Sequence, residues 1–493
     1  MNIYLVTSNP KDWKEVLPDV QVISARDYLT NPDYNNSNKV RVFNLSKSYK
    51  YQSMGYYVSL LAEARGHKVL PSITTVQDVK SQTLVKLITS DLDELIQQSF
   101  RRLQSSVFDL SIYFGRNLAK QYDNLARQLF NLFPAPMLRA HFFRKSEKEP
   151  WEIRTIEAIS FNEVPEHHKE FFMAQAVEYF SRRSIKFAEK KHPKYDLAIL
   201  YNPADESPPS NKAFFDKFKK VAKQKKMRVD LISKEDMGHL GEYDALFIRE
   251  TTNVNHYTYR LARRAHADGL AVIDDPLSIS RCSNKVYLAE LLKRHGVSIP
   301  RTLVIHSENV GEVSSYLGTP CILKKPDGAF SLGVTKVSSE SELTEKIKEF
   351  LQKSELIIGQ EFIPTDFDWR VGVLDGEPLY ACRYYMAKGH WQICDWQKSG
   401  KSRFGKVESV PLWEVPRSVV QSALSATQLI GQGLYGVDLK QVGDQVYVIE
   451  VNDNPDLEAG CEDASVGEEL YEKLIDYFIR KIEQRRGNLG MPS

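Results

Sequence analysis

The stretch VYVIEVNDNPDLEAG, Val446 to Gly460, starts as a strand and ends in oxygen ligands. Val446, Tyr447, Val448, Ile449 and Val451 are β-branched, aromatic or apolar, as in a half-buried strand. Glu450 and Asn452 interrupt them near the end, and Asn454-Pro455 stops the strand because proline cannot donate to a ladder. Side chains alternate along a strand, so Glu450 and Asn452 share one face and Val451 takes the other. Upstream, YGVDLKQVGD ends in Gly443-Asp444, a turn signal between two apolar runs, and the whole segment reads as a β-hairpin. Folded about Asp444, the hairpin sets Asp438 opposite Glu450. Two carboxylates and a carboxamide then converge, a donor set that suits a hard cation such as Mg²⁺ beside phosphate oxygens. One carboxylate at a strand end would merely be solvated; three oxygens at one spot point to a metal.

The 493 residues allow about three domains of the usual size. A hydrophobic content of 42% is enough to fill sizeable cores. Basic residues number 66 and acidic ones 64, so the net charge of +2 gives no reason to expect a nucleic acid or a membrane as partner. The five cysteines (Cys282, Cys321, Cys382, Cys394 and Cys461) are scattered and lack C-x-x-C spacing. They argue for a reducing compartment and against a disulfide framework or a zinc site. The opening MNIYLVTSNP has neither the basic flank nor the apolar core of a signal peptide. No apolar run approaches the roughly 18 residues of a membrane helix. A cytoplasmic protein is expected.

Along the chain, NIYLVTS and KVRVFNLS read as strands, YYVSLLAEARG as a helix closed by Gly66, and HKVLPS as a further strand. This order predicts an N-terminal α/β domain over 1–190. Within it, 83–145 reads as mainly helical, and RRSIKFAEKKHPKYD as a helix end and linker with a solvated basic face. A second α/β unit is expected over 195–280. Its strands are YDLAILYNP, RVDLISKED, YDALFIRET and AVIDDP, and its helices NKAFFDKFKKVAKQKKM and YTYRLARRAHADGL. SNKVYLAELLKRHG, a helix capped near Gly296, then leads into further strands.

Neither G-x-x-x-x-G-K-[ST] nor a strand followed by G-x-G-x-x-G is present. CILKKPDGAFSLGVTKV offers another way to hold phosphate. A short strand ends in Lys324, a loop runs from Gly328 to Gly333, and a second strand follows. Backbone N–H groups of such a loop can approach phosphate oxygens, and Lys324 adds a point charge. In LIIGQEFIPTDFDWRVGVLDGEPLYACRYY, a buried strand reaches Gln360 and Glu361. A hairpin about Asp375-Gly376 follows, with Asp368, Arg370 and Gly372 on one face. Arg383 on the return strand is expected to reach the same site, where an arginine fork suits phosphate or carboxylate.

Lys285 in SNKVYLAELLKRHGVSIP, then ILKKPDGAFSLGV, QEFI, DWR and GVDL…VYVIEVNDNP occur in an order that resembles the ATP-grasp superfamily. Within it the chain is most similar to RimK-type glutamate ligases and glutathione synthetases, over about 195–485. The resemblance implies a three-part ATP-grasp module: a pre-ATP-grasp α/β domain at 195–280, then two α+β subdomains, 281–358 and 359–486, gripping the nucleotide. It implies ATP and Mg²⁺ or Mn²⁺ as cofactors, with two ions. Lys285 and Lys324 would contact phosphates and adenine. Gln360 belongs to the same segment, Glu361 would take the adenine amino group, and Phe362 and Ile363 would run along the base. Asp368, or Asp366 in the short PTDFD spacer, would lie near the ribose. Asp438, Glu450 and Asn452 would be the metal ligands, and Arg370 and Arg383 the catalytic arginines. Gln392, and Cys394 or Asp395, stand where the RimK pattern has an arginine and an asparagine, so glutamate is not assured as the substrate. The N-terminal region resembles the extra domain of a subset of RimK-like ligases.

The reaction so implied joins a small-molecule or peptide carboxylate to an amine through an acyl phosphate, releasing ADP and phosphate. YYMAKGHWQICDWQKSGKSRFG is the expected lid against water. Relatives commonly assemble, so a homo-oligomer is compatible. Two other readings keep the fold: kinase-type phosphoryl transfer, and a non-catalytic nucleotide sensor or scaffold.

Overall fold

The computed structural model describes residues 2–13, 20–35, 40–184, 193–205, 208–327, 333–395, 398 and 403–488. Near the N-terminus, β1 (Asn2–Thr7), β2 (Val20–Ser24), β3 (Val40–Leu45) and β4 (Lys68–Leu70) form a parallel sheet in the order β2-β1-β3-β4. Every residue of β3 is buried, as a strand covered on both faces requires. The crossover helix Met54–Ala64 is capped by Ser53, whose hydroxyl accepts the Tyr56 N–H, and Gly66 closes it at a φ of +68°.

Residues 83–145 depart from the helical expectation. They contain β5 (Val107–Tyr113) and β6 (Met137–Phe143), which join β7 (Glu152–Ala158) in an antiparallel sheet. The signal is in MLRAHFF: Leu138, Ala140 and Phe142 are buried and alternate with half-buried Arg139 and His141. That period of two is a strand's, and the helix Asp123–Leu132 just before it obscures it. Residues 185–192 of the linker reading, Gly328 of the glycine loop and part of the lid stretch lie outside the described residues.

The second unit follows its reading. β8 (Tyr195–Leu200), β9 (Met227–Ile232), β10 (Ala245–Ile248) and β11 (Ala271–Ile273) are parallel in the order β11-β10-β8-β9. Two antiparallel sheets come next. β12 (Thr302–Ile305), β13 (Cys321–Lys324), β14 (Val334–Val337) and β15 (Ile357–Glu361) run in the order β12-β15-β13-β14. β16 (Phe367–Leu374), β17 (Glu377–Tyr385), β18 (Val407–Val410), β19 (Leu434–Val442) and β20 (Gln445–Asn452) run in the order β18-β17-β16-β19-β20. The chain is thus α/β throughout: an N-terminal α/β domain, a second α/β domain and two α+β subdomains. Among the described residues no helix is long and apolar enough to cross a membrane.

The five-stranded sheet carries the candidate site, and its two faces have different work. One face, with Trp369, Val371, Val437 and Val448, packs on Val419, Ala423 and Ala426 of the Arg417–Gln428 helix. On the other, Tyr380, Cys382 and Tyr384 pack toward the C-terminal helix Glu469–Asn488. That cover takes in Leu434 at the start of β19, and the polar side chains farther along this face of β19 and β20 are left to form a site. The β16–β17 hairpin turns at Asp375 and Gly376, both at positive φ, the type I′ pattern that matches strand twist.

Candidate active site

The β19–β20 hairpin reaches the expected pairing by an unexpected route. The turn pairs Val442 with Gln445, so Gly443-Asp444 is a two-residue loop rather than a loop centred on Asp444. Continued without interruption, that register would pair Asp438 with Ile449 and turn Glu450 to the opposite face. A bulge between Asp438 and Leu439 admits one extra residue on β20 and brings Asp438 opposite Glu450. Asn452 stands two residues on, and its Nδ2 donates to Asp438 Oδ2 at 3.2 Å and to the Gly436 carbonyl at 3.3 Å.

Cations from three other elements meet these carboxylates. Lys285, at the start of the Lys285–Arg294 helix, is buried, and its Nζ donates to Glu450 Oε1 at 2.7 Å. Lys324 closes β13 and is buried rather than exposed beside its loop; its Nζ donates to Gln360 Oε1 at 2.8 Å. Burial pushes the Lys324 ammonium down to about 8, with Glu450 pulling upward and Lys285 and Lys440 pushing down. Burial would raise the Glu450 carboxyl, but Lys285 and Lys324 outweigh it and hold the group below the ordinary carboxylate range. Arg370, 7% exposed, grips Asp438 with Nε on Oδ1 and Nη2 on Oδ2 at 3.0 Å. Burial opposes the Arg370 charge, yet Asp438 keeps the guanidinium well above its usual value.

Asp368 and Arg370 share the site face, as alternation predicts. Asp368 is bound by Lys440, whose Nζ donates to its Oδ1 at 2.5 Å and to Thr365 Oγ1 at 2.7 Å. Lys440 was missed in the sequence, although it lies two residues beyond Asp438 on the same strand.

Arg383 is a correction. It pairs with Trp369 in the ladder, while Cys382 pairs with Arg370 and Tyr384 with Asp368. Cross-strand partners share a face, so Arg383 points away from Asp438, and Tyr384 occupies the site face instead. The guanidinium lies over the rings of Trp369 and Phe367 and stands 3.7 Å from Glu408. Arg383→Ala should therefore change kcat/KM for ATP by less than about fivefold, the ceiling of a partly exposed ion pair. Steady-state ADP release checks this, and a fall of a hundredfold would return Arg383 to the site.

At the end of β15, Gln360 also donates Nε2 to Thr302 Oγ1 at 3.1 Å. The carboxylate of Glu361 takes the Arg301 N–H and Nε–H, each at 2.7 Å. Phe362 lies under the Lys336 ammonium at 3.8 Å and meets the ring of Trp391 edge-on, and Ile363 follows it, half-buried. Trp391 belongs to the lid stretch, so that loop reaches the segment after β15. Asp395, one of the two residues where an asparagine was expected, is buried and paired with Lys398 at 2.9 Å. Gln392 accepts from the His390 ring at 3.3 Å in one tautomer.

The second α/β unit joins the site through Arg249, which spacing alone could not reveal. It is fully buried at the end of β10, with Nε on Ser210 Oγ at 2.9 Å and Nη2 on the Pro209 and Pro455 carbonyls at 2.6 and 2.7 Å. Nη1 donates to Asn454 Oδ1. The loop that follows β20 is thus docked on the carboxyl ends of a parallel sheet, where open α/β sheets bind ligands.

Two carboxylates and one carboxamide, backed by Lys285, Lys324 and Arg370, are an all-oxygen donor set that fits a hard divalent cation. Among the described residues no group of three or more His, Cys, Asp or Glu side chains is arranged to hold a metal ion, and the third oxygen group beside Asp438 and Glu450 is the carboxamide of Asn452.

The model of the RimK-like ATP-grasp domain matches residues 282–478, and that of the RimK-like ATP-grasp N-terminal domain matches 25–175. A protein of Vibrio vulnificus named "Probable alpha-L-glutamate ligase" is 29% identical over 230 residues, 46% of this chain and 73% of its own. A protein of the same name from Aeromonas salmonicida is 26% identical over 250 residues, 50% of this chain and 80% of its own. The structure of D-alanine–D-alanine ligase from Bacillus anthracis covers 60% of this chain and 99% of its own at 17% identity, with a TM-score of 0.47.

Proposed function

We propose, for a chain that belongs through these two domains to the RimK-like ATP-grasp family, a reaction that joins a carboxylate to an amine at the expense of ATP. The observation that carries this reading is the convergence of Asp438, Glu450 and Asn452 with Lys285 and Lys324, from two subdomains, on one spot. Such a cluster serves phosphoryl transfer, where catalysis is positioning and charge neutralisation rather than an activated nucleophile.

Lys285 and Lys324 hold the phosphates of ATP, while Gln360, Glu361, Phe362 and Ile363 receive the base and Asp368 the ribose side. Asp438, Glu450 and Asn452 would hold Mg²⁺ or Mn²⁺, two ions in this reading, which would supply positive charge beside the phosphate oxygens. The substrate carboxylate oxygen bonds to the γ-phosphorus as the bond to the β,γ-bridging oxygen breaks and ADP leaves. The amine then bonds to the carbonyl carbon of the acyl phosphate, inorganic phosphate leaves, and the nitrogen gives up its proton. Arg370, on the same face, stabilises the oxyanion of the tetrahedral intermediate. The 384–405 loop keeps water from the acyl phosphate.

The relatives' names make L-glutamate the first amine to test. A screen of amino acids and small acids for ADP release, with mass spectrometry of products, should find an amide forming in step with ADP. ADP without an amide would favour a kinase, and AMP would remove the acyl phosphate.

Lys324 gives the reaction a pH limit. In the free protein its charge is present below about 8 and lost above it. kcat/KM for ATP, which reports the free protein, should hold below that pH and fall above it. Lys324→Met should abolish the break and bind ATP weakly at every pH; an unchanged break would assign it to another group.

A further inference from the structure

A cavity of about 470 Å³ lies between the N-terminal domain and the second α/β unit, well apart in the chain from the candidate active site. Small-molecule sites span roughly 300–1,000 Å³ and favour domain interfaces. One wall is the Asp123–Leu132 and Glu166–Ser184 helices with the turn after β5; the other is β9 and the segment Lys234–Glu242. The walls are locked together. Asn131 Oδ1 accepts the Gly238 N–H at 2.8 Å, and its Nδ2 donates to the Glu235 carbonyl at 3.2 Å. A Cβ on Gly238 would stand 2.5 Å from Asn131 Oδ1 and 2.7 Å from the Phe130 ring. The cavity beside so close a contact is built into the interface and is not slack docking. Phe114 lines it at a φ of +48°, a conformation that bulky residues seldom adopt.

Its polar groups divide into spent and unspent. Glu242 is spent: it pairs with Arg41 at 3.4 Å and takes the Tyr179 hydroxyl at 2.9 Å. Among the described residues the Arg127 guanidinium and the Gln175 amide have no hydrogen bond or ion pair, and the buried Nε of Arg41 has no acceptor. Four arginines and five carboxylates line the space together. Arg116 is paired with Asp123, Arg228 with Asp196 and Asp230, and Asp236 takes the Ser233 hydroxyl, so among the described residues Arg127 and Glu235 are the two charges, of opposite sign, left for a ligand. A ligand carrying both signs satisfies both, and a guanidinium takes a carboxylate by two parallel hydrogen bonds.

We propose that this cavity binds a small zwitterion, a free amino acid or short peptide, with its carboxylate on Arg127 and Gln175 and its ammonium toward the carboxylate wall that includes Glu235. The site does not depend on the reaction proposed above.

Calorimetric titration of the full chain, without nucleotide or metal, tests it. The titrants are glycylglycine, L-glutamate and L-lysine, with acetate and methylammonium as single-ended controls. At least one zwitterion should bind saturably at one site per chain, and both controls at least tenfold more weakly. Arg127→Gln should weaken the zwitterion at least tenfold, Arg127→Lys should restore part of the loss, and Glu235→Gln should weaken it at least threefold. Lys324→Met should leave it unchanged. The proposal is overturned by absence of saturable binding for all three, or by acetate or methylammonium binding as tightly. Binding that survives Arg127→Gln and is lost in Lys324→Met would overturn it too, placing the ligand in the nucleotide site.

Discussion

Replacing Glu450 with glutamine should cut ADP release by at least about a thousandfold, or some 4 kcal/mol of barrier. Glutamine preserves the length of the side chain and the period-two packing of β20, and its amide oxygen can still accept from Lys285. Only the charge is lost, and that charge does two things in the site. It opposes burial in setting the Lys324 ammonium, and it is held ionised by Lys285 and Lys324. The variant therefore leaves two buried ammonium groups without their carboxylate and one fewer charged oxygen for a divalent cation. The readouts are ADP release and, separately, Mn²⁺ affinity in the presence of ADP, which should fall as well. Full turnover with unchanged Mn²⁺ affinity would remove Glu450 from the metal set and with it the reading of the hairpin.

The hairpin was legible because two signals agree in it: a Gly-Asp turn and an apolar, strand-forming run on each side. Even so, the pairing of Asp438 with Glu450 depends on a bulge that no local propensity announces. Arg383 shows the limit of the same logic. Alternation gives faces only once the register is known, and a slip of one residue exchanges Arg383 for Tyr384. Lys324 was legible as a charge at the end of a short strand, but its burial was not. A lysine beside a glycine loop looks exposed, but β13 lies between β14 and β15, and its end is covered by Gln360 and by the neighbouring subdomain's charges. Arg249 joins residues about 200 positions apart, and one sequence carries no sign of such a contact. The strands β5 and β6 were hidden by their setting, since a seven-residue alternation beside a helix is a short signal.

Arg370→Met should be among the most destabilising single changes in the sheet, costing about 3–5 kcal/mol. Arg370 and Asp438 lie side by side on β16 and β19, with side chains 8% and 17% exposed. Their mutual attraction is what offsets the desolvation of both, so removing the guanidinium leaves a carboxylate with no adequate partner. Asn452 donates one hydrogen bond to Asp438 at 3.2 Å, which is worth less than a bidentate guanidinium. Asp456, 4.0 Å from Arg370, loses its nearest cation as well. The double change Arg370→Met with Asp438→Leu removes both charges, and it should regain most of the stability while abolishing ADP release. Because several domains unfold in this chain, the measurement is hydrogen exchange of the β16 and β19 amides rather than a single melting point. The penalty of the single variant should also shrink at acid pH. Burial already pushes the Asp438 carboxyl up, Arg370 opposes that rise, and without Arg370 the group protonates at a higher pH and ceases to be a buried charge. A loss below 1 kcal/mol in the single variant, or one that the double variant does not reverse, would mean that Asp438 is not neutralised by Arg370. The sheet would then be holding the carboxylate by other means.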